Sequence, residues 1–209
     1  MANNNIPSID LDDFLSDNPR QKQKFVNEIG EAFEEIGFVS LKNHFLNEEL
    51  SEELYKEVKA FFALPYEVKR KYEIEELSGQ RGYVSFGKEH AKGKKEGDLK
   101  EFWHFGQEPS TGANLTEEYP ENLKVEELKD FYHSGMEAYR MLEKTGIYVL
   151  RALALHIGLD EHYFDHWASN GNSILRPIHY PPITAEPKGA ERAGAHGDIN
   201  LITLLLGAS

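Results

Sequence analysis

The chain has no cysteine. That absence removes thiolate nucleophiles, disulfides, Cys-ligated zinc and iron–sulfur clusters. Any metal must be held by His, Asp or Glu, a donor set that suits Fe(II), Mn(II) or Zn(II). No apolar run approaches the roughly 18 residues needed to cross a bilayer. The Asn-rich start, Met1 to Pro7, lacks the charged-then-apolar layout of a secretory leader. A cytoplasmic protein with no membrane partner is therefore expected. Basic residues are scarce, with 23 Lys and Arg against 36 Asp and Glu and a formal net charge of −13. That sign argues against a nucleic-acid partner. The one basic cluster, Lys88 to Lys95, is interrupted by glycine and reads as a solvated loop. Nucleophile elbows, P-loops and dinucleotide fingerprints are also missing. What is present is ordinary for a folded domain: 209 residues, 40% hydrophobic and 28% charged, enough for one sizeable core.

Helices dominate the first three-quarters of the chain. Ile6 to Leu11 alternates like a short edge strand. Asp17 or Asn18 then caps a helix opened by Pro19, with Phe25, Ile29, Phe33 and Ile36 at helical spacing and Gly37 as its stop. Phe38 to Leu41 reads as a strand. Asn47 caps a further helix with the stripe Leu50, Leu54, Val58, Phe61 and Phe62, and Pro65 opens a short one through Tyr72. Arg81 to Val84 and the aromatic-dense Asp98 to Gly106 are β-prone. A long helical pattern runs from about Glu121 to Ile157, with Gly135 and Gly146 inside it as points of kinking or close packing, and Gly158 ends it. A short helix around Glu161 to Trp167 carries His162 and His166, whose surroundings favour a surface or packing role over metal binding.

Strands gather at the end. Ile174 to Tyr180 is extended and stopped by Pro181-Pro182. After a polar loop, His196-Gly197-Asp198 leads into Leu201 to Leu206, which reads as a buried strand. In an extended chain, residues two apart point the same way with Cα atoms about 6.5 Å apart, so His196 and Asp198 can converge on one ion. The same alternation puts Arg176, Ile178 and Tyr180 on one face and Leu175, Pro177 and His179 on the other. It likewise puts Phe102 and His104 opposite Trp103 and Phe105. An arginine facing a pocket is a planar anchor for a carboxylate; a surface ion pair is the competing role for Arg176, and a core hydroxyl that for Tyr180.

Taken in order, Leu175-Arg176-Pro177-Ile178-His179-Tyr180-Pro181-Pro182 followed by Gly194-Ala195-His196-Gly197-Asp198 and an Ile/Leu/Thr-rich run resembles the isopenicillin-N-synthase-like branch of the Fe(II)/2-oxoglutarate-dependent oxygenases. Ile6 to Leu11, Gly37-Phe38 with Asn43-His44, Phe61 to Pro65, Arg81-Gly82-Tyr83 and Asp98 to Glu101 match further family stretches. The likeness runs from residue 6 to the last residue.

The resemblance implies an α+β fold in which N-terminal helices pack on a distorted jelly roll (double-stranded β-helix), of which only the first strands are present. It implies a single oxygenase domain over 1–209, with N-terminal helices and first strands at 1–120, a long helix and connector at 121–170 and the start of the jelly-roll core at 171–209. It makes His196 and Asp198 two ligands of a 2-His-1-carboxylate Fe(II) site, Tyr180 a partner of the 2-oxoglutarate co-substrate, and Arg176, Phe102 and His104 substrate-pocket residues. The implied activity is oxidation of a small-molecule C–H bond with O2, by hydroxylation, desaturation or cyclisation, in a protein that is monomeric when complete. An oxidase using O2 alone and a non-catalytic binding domain of the same fold are the alternatives. Two departures qualify the match. Ile178 replaces a common Asn, and the family's second histidine and Arg-x-Ser have no counterpart before Ser209. As written, the chain is expected to be an inactive N-terminal portion lacking the third ligand.

Overall fold

The computed structural model describes residues 6–89, 97–108, 120–169, 171–184, 189–195, 197, 198 and 200–207. The chain divides into two compact units, each assembled from two stretches: Met1–Glu48 with Arg140–Gly171, and Glu49–Tyr139 with Asn172–Ser209.

In the first unit, β1 (Ser8–Asp10) pairs in parallel with β2 (Ser40–Lys42), Ile9 lying opposite Leu41. Between them run α1 (Leu11–Leu15) and α2 (Pro19–Glu35). Asp10 ends the strand and caps α1, its carboxylate accepting from the Asp12 amide at 3.0 Å. The edge strand expected through Leu11 is thus cut short by a helix whose cap lies inside it. At α2 the expected start holds: Asn18 Oδ1 accepts from the Arg20 amide at 3.0 Å and Pro19 is the first helical residue. Its buried stripe is Phe25, Val26, Ile29 and Ala32. Ile36, expected on that stripe, is exposed at the C-cap, because Gly37 at φ 79° turns the chain away.

The long helix α5 (Phe131–His156) begins ten residues later than its periodicity suggests and is stopped by Gly158, φ 76°. The Glu126 amide is taken by the Tyr72 hydroxyl at 2.9 Å, which keeps it out of a helical ladder. After it, α6 (Asp165–Ala168) is shorter than expected. His162 Nδ1 lies 2.8 Å from Asp165, which Arg151 also grips, so His162 is used in a surface hydrogen bond.

The second unit contains α3 (Glu48–Phe62), α4 (Tyr66–Lys69) with a 3-10 turn at Arg70–Tyr72, and a sheet of β3 (Gly82–Val84), β4 (Glu101–Gly106), β5 (Ile174–Leu175) and β6 (Ile178–His179). The central strand is β4, antiparallel to β3 on one side and to β5 and β6 on the other. Phe105 pairs with Leu175 and Phe102 with Ile178, so one register runs through both short strands. Pro177 has no N–H to donate and interrupts the ladder, although its carbonyl still accepts from the Trp103 amide at 3.1 Å.

One face of β4 is core. Trp103 and Phe105 are fully buried among Phe61, Tyr72, Tyr83 and Phe131. Ring centroids lie 4.9 Å apart for Phe61–Trp103 and 5.1 Å apart for Trp103–Phe131, both T-shaped, the geometry that aromatic quadrupoles favour. Gly135 admits Phe105 against α5, where a Cβ would stand 2.2 Å from the ring.

Residues 201–206 are neither buried nor a strand. Leu201 is 63% and Leu205 78% exposed. Exposure still alternates along this segment, as in extended chain, but a strand needs a hydrogen-bonded neighbour. None of the described residues pairs with it. Among the described residues no helix is long and apolar enough to cross a membrane.

Candidate active site

The other face of β4 carries Phe102 and His104, as strand alternation requires. Directly across, Arg176 opposes His104 in the register that joins β5 to β6. Its guanidinium lies 4.5 Å from the Phe102 ring centroid, and Phe102 and His104 rings are 4.9 Å apart. Arg176 Nε donates to His104 Nε2 at 2.6 Å, and Nη1 donates to Glu89 Oε1 at 3.1 Å. These three of the residues expected at the site are therefore one contacting group.

The state of His104 follows from its partners. Nδ1 lies 2.6 Å from the Gly79 carbonyl oxygen, so it bears the proton. Arginine has no acceptor, so Nε2 must accept. Burial, and then the charge of Arg176, push its pKa down to about 4; Gly79 and Glu89 oppose, and Arg81 adds to the depression. His104 is neutral at pH 7.

Glu89 and Lys100 extend the group. Lys100 Nζ is 2.6 Å from Glu89 and 2.9 Å from Asp98. Burial alone would raise the Glu89 carboxyl, but Lys100 and Arg176 outweigh it and hold it below the usual range. Burial likewise would lower Lys100, and Glu89 and Asp98 raise it instead.

On the core face, Glu101 accepts from Lys69 Nζ at 2.8 Å, from the Tyr83 hydroxyl and from His179, whose Nδ1 lies at 2.8 Å. Burial would raise Glu101, yet these donors keep its carboxyl below the usual range. Burial, then Glu101, pushes the Tyr83 hydroxyl up. His179 thus faces away from Arg176, as alternation predicts. Tyr180 is half-exposed beneath Arg192, whose Cζ lies 5.9 Å from the ring.

The segment leading to His196-Gly197-Asp198 is fastened to the start of β4. The Leu99 amide donates to the Glu191 carbonyl at 2.7 Å, and the Gly194 amide to Asp98 Oδ1 at 3.3 Å. His196 lies outside the described residues. Asp198 is exposed, and its Oδ2 accepts from the Thr203 hydroxyl at 2.6 Å, which in turn accepts from Asn200 Nδ2 at 2.8 Å. Among the described residues no three His, Asp or Glu side chains cluster as a metal site. Sequence reasoning passed over Glu89, Asp98, Glu101 and Thr203. Asp98 and Glu101 sit in a quoted family stretch, whereas no local pattern marks Glu89 or Thr203.

Residues 6–137 match the model of the N-terminal region of non-haem dioxygenases, described as that of morphine synthesis. The chain is 31% identical to proline hydroxylase buaE of Petromyces alliaceus, covering 96% of this chain and 63% of that protein. It is 29% identical to leucoanthocyanidin dioxygenase of Malus domestica, covering 96% and 55%. Among solved structures, a 2OG-Fe(II) oxygenase family protein from Caulobacter crescentus matches with TM-score 0.78 and 36% identity, over 93% of this chain and 61% of that one. A full-length Neurospora crassa protein in complex with alpha-KG matches with TM-score 0.71 and 30% identity, over 90% and 57%. The chain spans 55% to 63% of the length of these relatives. With its helices, its sheets and its ordered motifs matched over most of its length, the chain belongs to the Fe(II)/2-oxoglutarate-dependent oxygenase family.

Proposed function

We propose that this chain carries the N-terminal region and the first metal ligands of a non-haem Fe(II)/2-oxoglutarate-dependent oxygenase that oxidises a C–H bond of a small molecule, acting as a cytoplasmic monomer. The sheet around β4 is read as the opening of a distorted jelly roll. The observation that carries this reading is the Arg176 guanidinium, held between His104, Glu89 and Phe102 on the strand that precedes His196-Gly197-Asp198. The names of the relatives, a proline hydroxylase and a leucoanthocyanidin dioxygenase among them, support small-molecule oxidation.

The donor chemistry fits the metal. Asp198 offers an exposed carboxylate whose Oδ2 is oriented by Thr203, and oxygen and imidazole donors suit Fe(II). His196 and Asp198 are the residues that would hold it. When bound, iron and 2-oxoglutarate supply oxidative decarboxylation to succinate and CO2, coupled to two-electron oxidation of the substrate by O2. The chain's own residues bind and orient. Arg176 presents a fixed donor to the substrate, Phe102 forms the floor under it, and the Tyr180 hydroxyl donates to the co-substrate.

Anaerobic addition of Fe(II) and then 2-oxoglutarate to the full-length protein tests the reading. A visible charge-transfer band is expected, lost on His196→Ala or Asp198→Ala. O2 uptake without 2-oxoglutarate would instead favour an O2-only oxidase, and failure to bind Fe(II) a non-catalytic binding domain.

A further inference from the structure

His104 has little surface to offer a substrate. It is 4% exposed, and both ring nitrogens are engaged. Arg176, by contrast, has a side chain 38% exposed, and its Nη2 has no hydrogen-bond partner among the described residues. We propose that His104 is a positioning residue: as a neutral imidazole bridging the Gly79 carbonyl and Arg176 Nε, it fixes the guanidinium over Phe102 so that Nη2 is the donor offered to a planar small molecule bearing an sp² oxygen.

Three features determine that outcome. A guanidinium usually grips a carboxylate side-on through Nε and Nη2, or end-on through both Nη atoms. Here Nε is occupied by His104, so side-on gripping is closed, and Nη1 already serves Glu89. The Phe102 ring covers one guanidinium face at 4.5 Å, leaving the opposite face for a planar group. Arg176 and Lys100 are met by Glu89 and Asp98. With Glu89 already countering the guanidinium charge, a carbonyl oxygen can serve as well as a carboxylate. A protonated His104 would turn Nε2 into a donor facing a donor, and Arg176 would lose its seat. The facing charged groups are Arg176, Glu89 and Arg81.

This inference rests on the substrate-side role of Arg176 given above, and its test is chosen to fail separately. Benzoate and benzamide serve as planar probes with a charged and a neutral oxygen, titrated by calorimetry into the full-length protein. At least one is expected to bind. His104→Leu should weaken that probe by about tenfold or more, whereas His104→Gln, whose Oε1 can accept from Arg176, should stay within about threefold of wild type. The Fe(II)/2-oxoglutarate band should be unchanged in both variants. Because a buried replacement can impair folding, ¹⁵N NMR of the wild-type protein gives a second reading. It should report His104 protonated at Nδ1 only, and a slowly exchanging Arg176 Nε–H. Binding of neither probe, unaltered binding by folded His104→Leu, or the opposite tautomer overturns the proposal. Absence of the band in wild type overturns the oxygenase reading and leaves the tautomer measurement standing.

Discussion

Glu101 and His179 face each other across β4 and β6, and His179 Nδ1 lies 2.8 Å from Glu101 Oε1, with the imidazole stacked 5.1 Å from the Phe62 ring. The carboxylate also holds buried Lys69. One side chain therefore joins α4, β3, β4 and β6, on the strand face opposite Arg176.

Removing one member of such a pair leaves a charge without its counterpart in a dry setting. Lys69→Met should destabilise the protein by about 3–5 kcal/mol, and Lys69→Met combined with Glu101→Leu by markedly less. Urea unfolding of both variants measures this. Equal losses in the two would show that Coulombic pairing is not what Lys69 contributes.

A stability gradient in mild acid should follow from His104. Its pKa is about 6.5 in the unfolded chain and about 4 when buried. Between those values the unfolded chain binds a proton that the native state does not, so stability falls as pH drops through this window. The loss amounts to about 3 kcal/mol by pH 4, and stability is regained above pH 6.5. The lowered carboxyls Glu89 and Glu101 act with the same sign at lower pH. Urea midpoints taken in steps from pH 7 to 4 should show the slope, and His104→Gln should flatten it.

Gly135 should resist even the smallest side chain. Alanine normally favours a helix interior over glycine by about 1 kcal/mol. Here its Cβ would stand 2.2 Å from Phe105 Cζ, and overpacking a core costs about 1–3 kcal/mol. Gly135→Ala is expected to lower the melting temperature, and Gly135→Ala with Phe105→Leu to recover part of it.

Much of this architecture was legible from local chemistry. Asn18-Pro19 marked a helix start, Gly37 and Gly158 marked stops, and alternation assigned the faces of Phe102 to Phe105 and of Arg176 to His179. What was hidden depends on partners far along the chain. Asp10 reads equally as strand end or helix cap until its neighbours are placed. The apolar run 201–206 looks like a strand in isolation, yet pairing rather than composition makes one. Val125 and Leu128 keep helical spacing outside the helix because Tyr72 takes the Glu126 amide. Glu89 lies in a glycine-rich stretch with no periodicity, so its union with Arg176, 87 residues away, had no local signal.

The attachment of Gly194 to Asp98 spans 96 positions of sequence. Closing a loop of that length has an entropic cost, which grows only slowly with further length. The stretch that leads to His196 is thus held by a carboxylate far upstream of it, so its placement depends on the strand that follows Asp98.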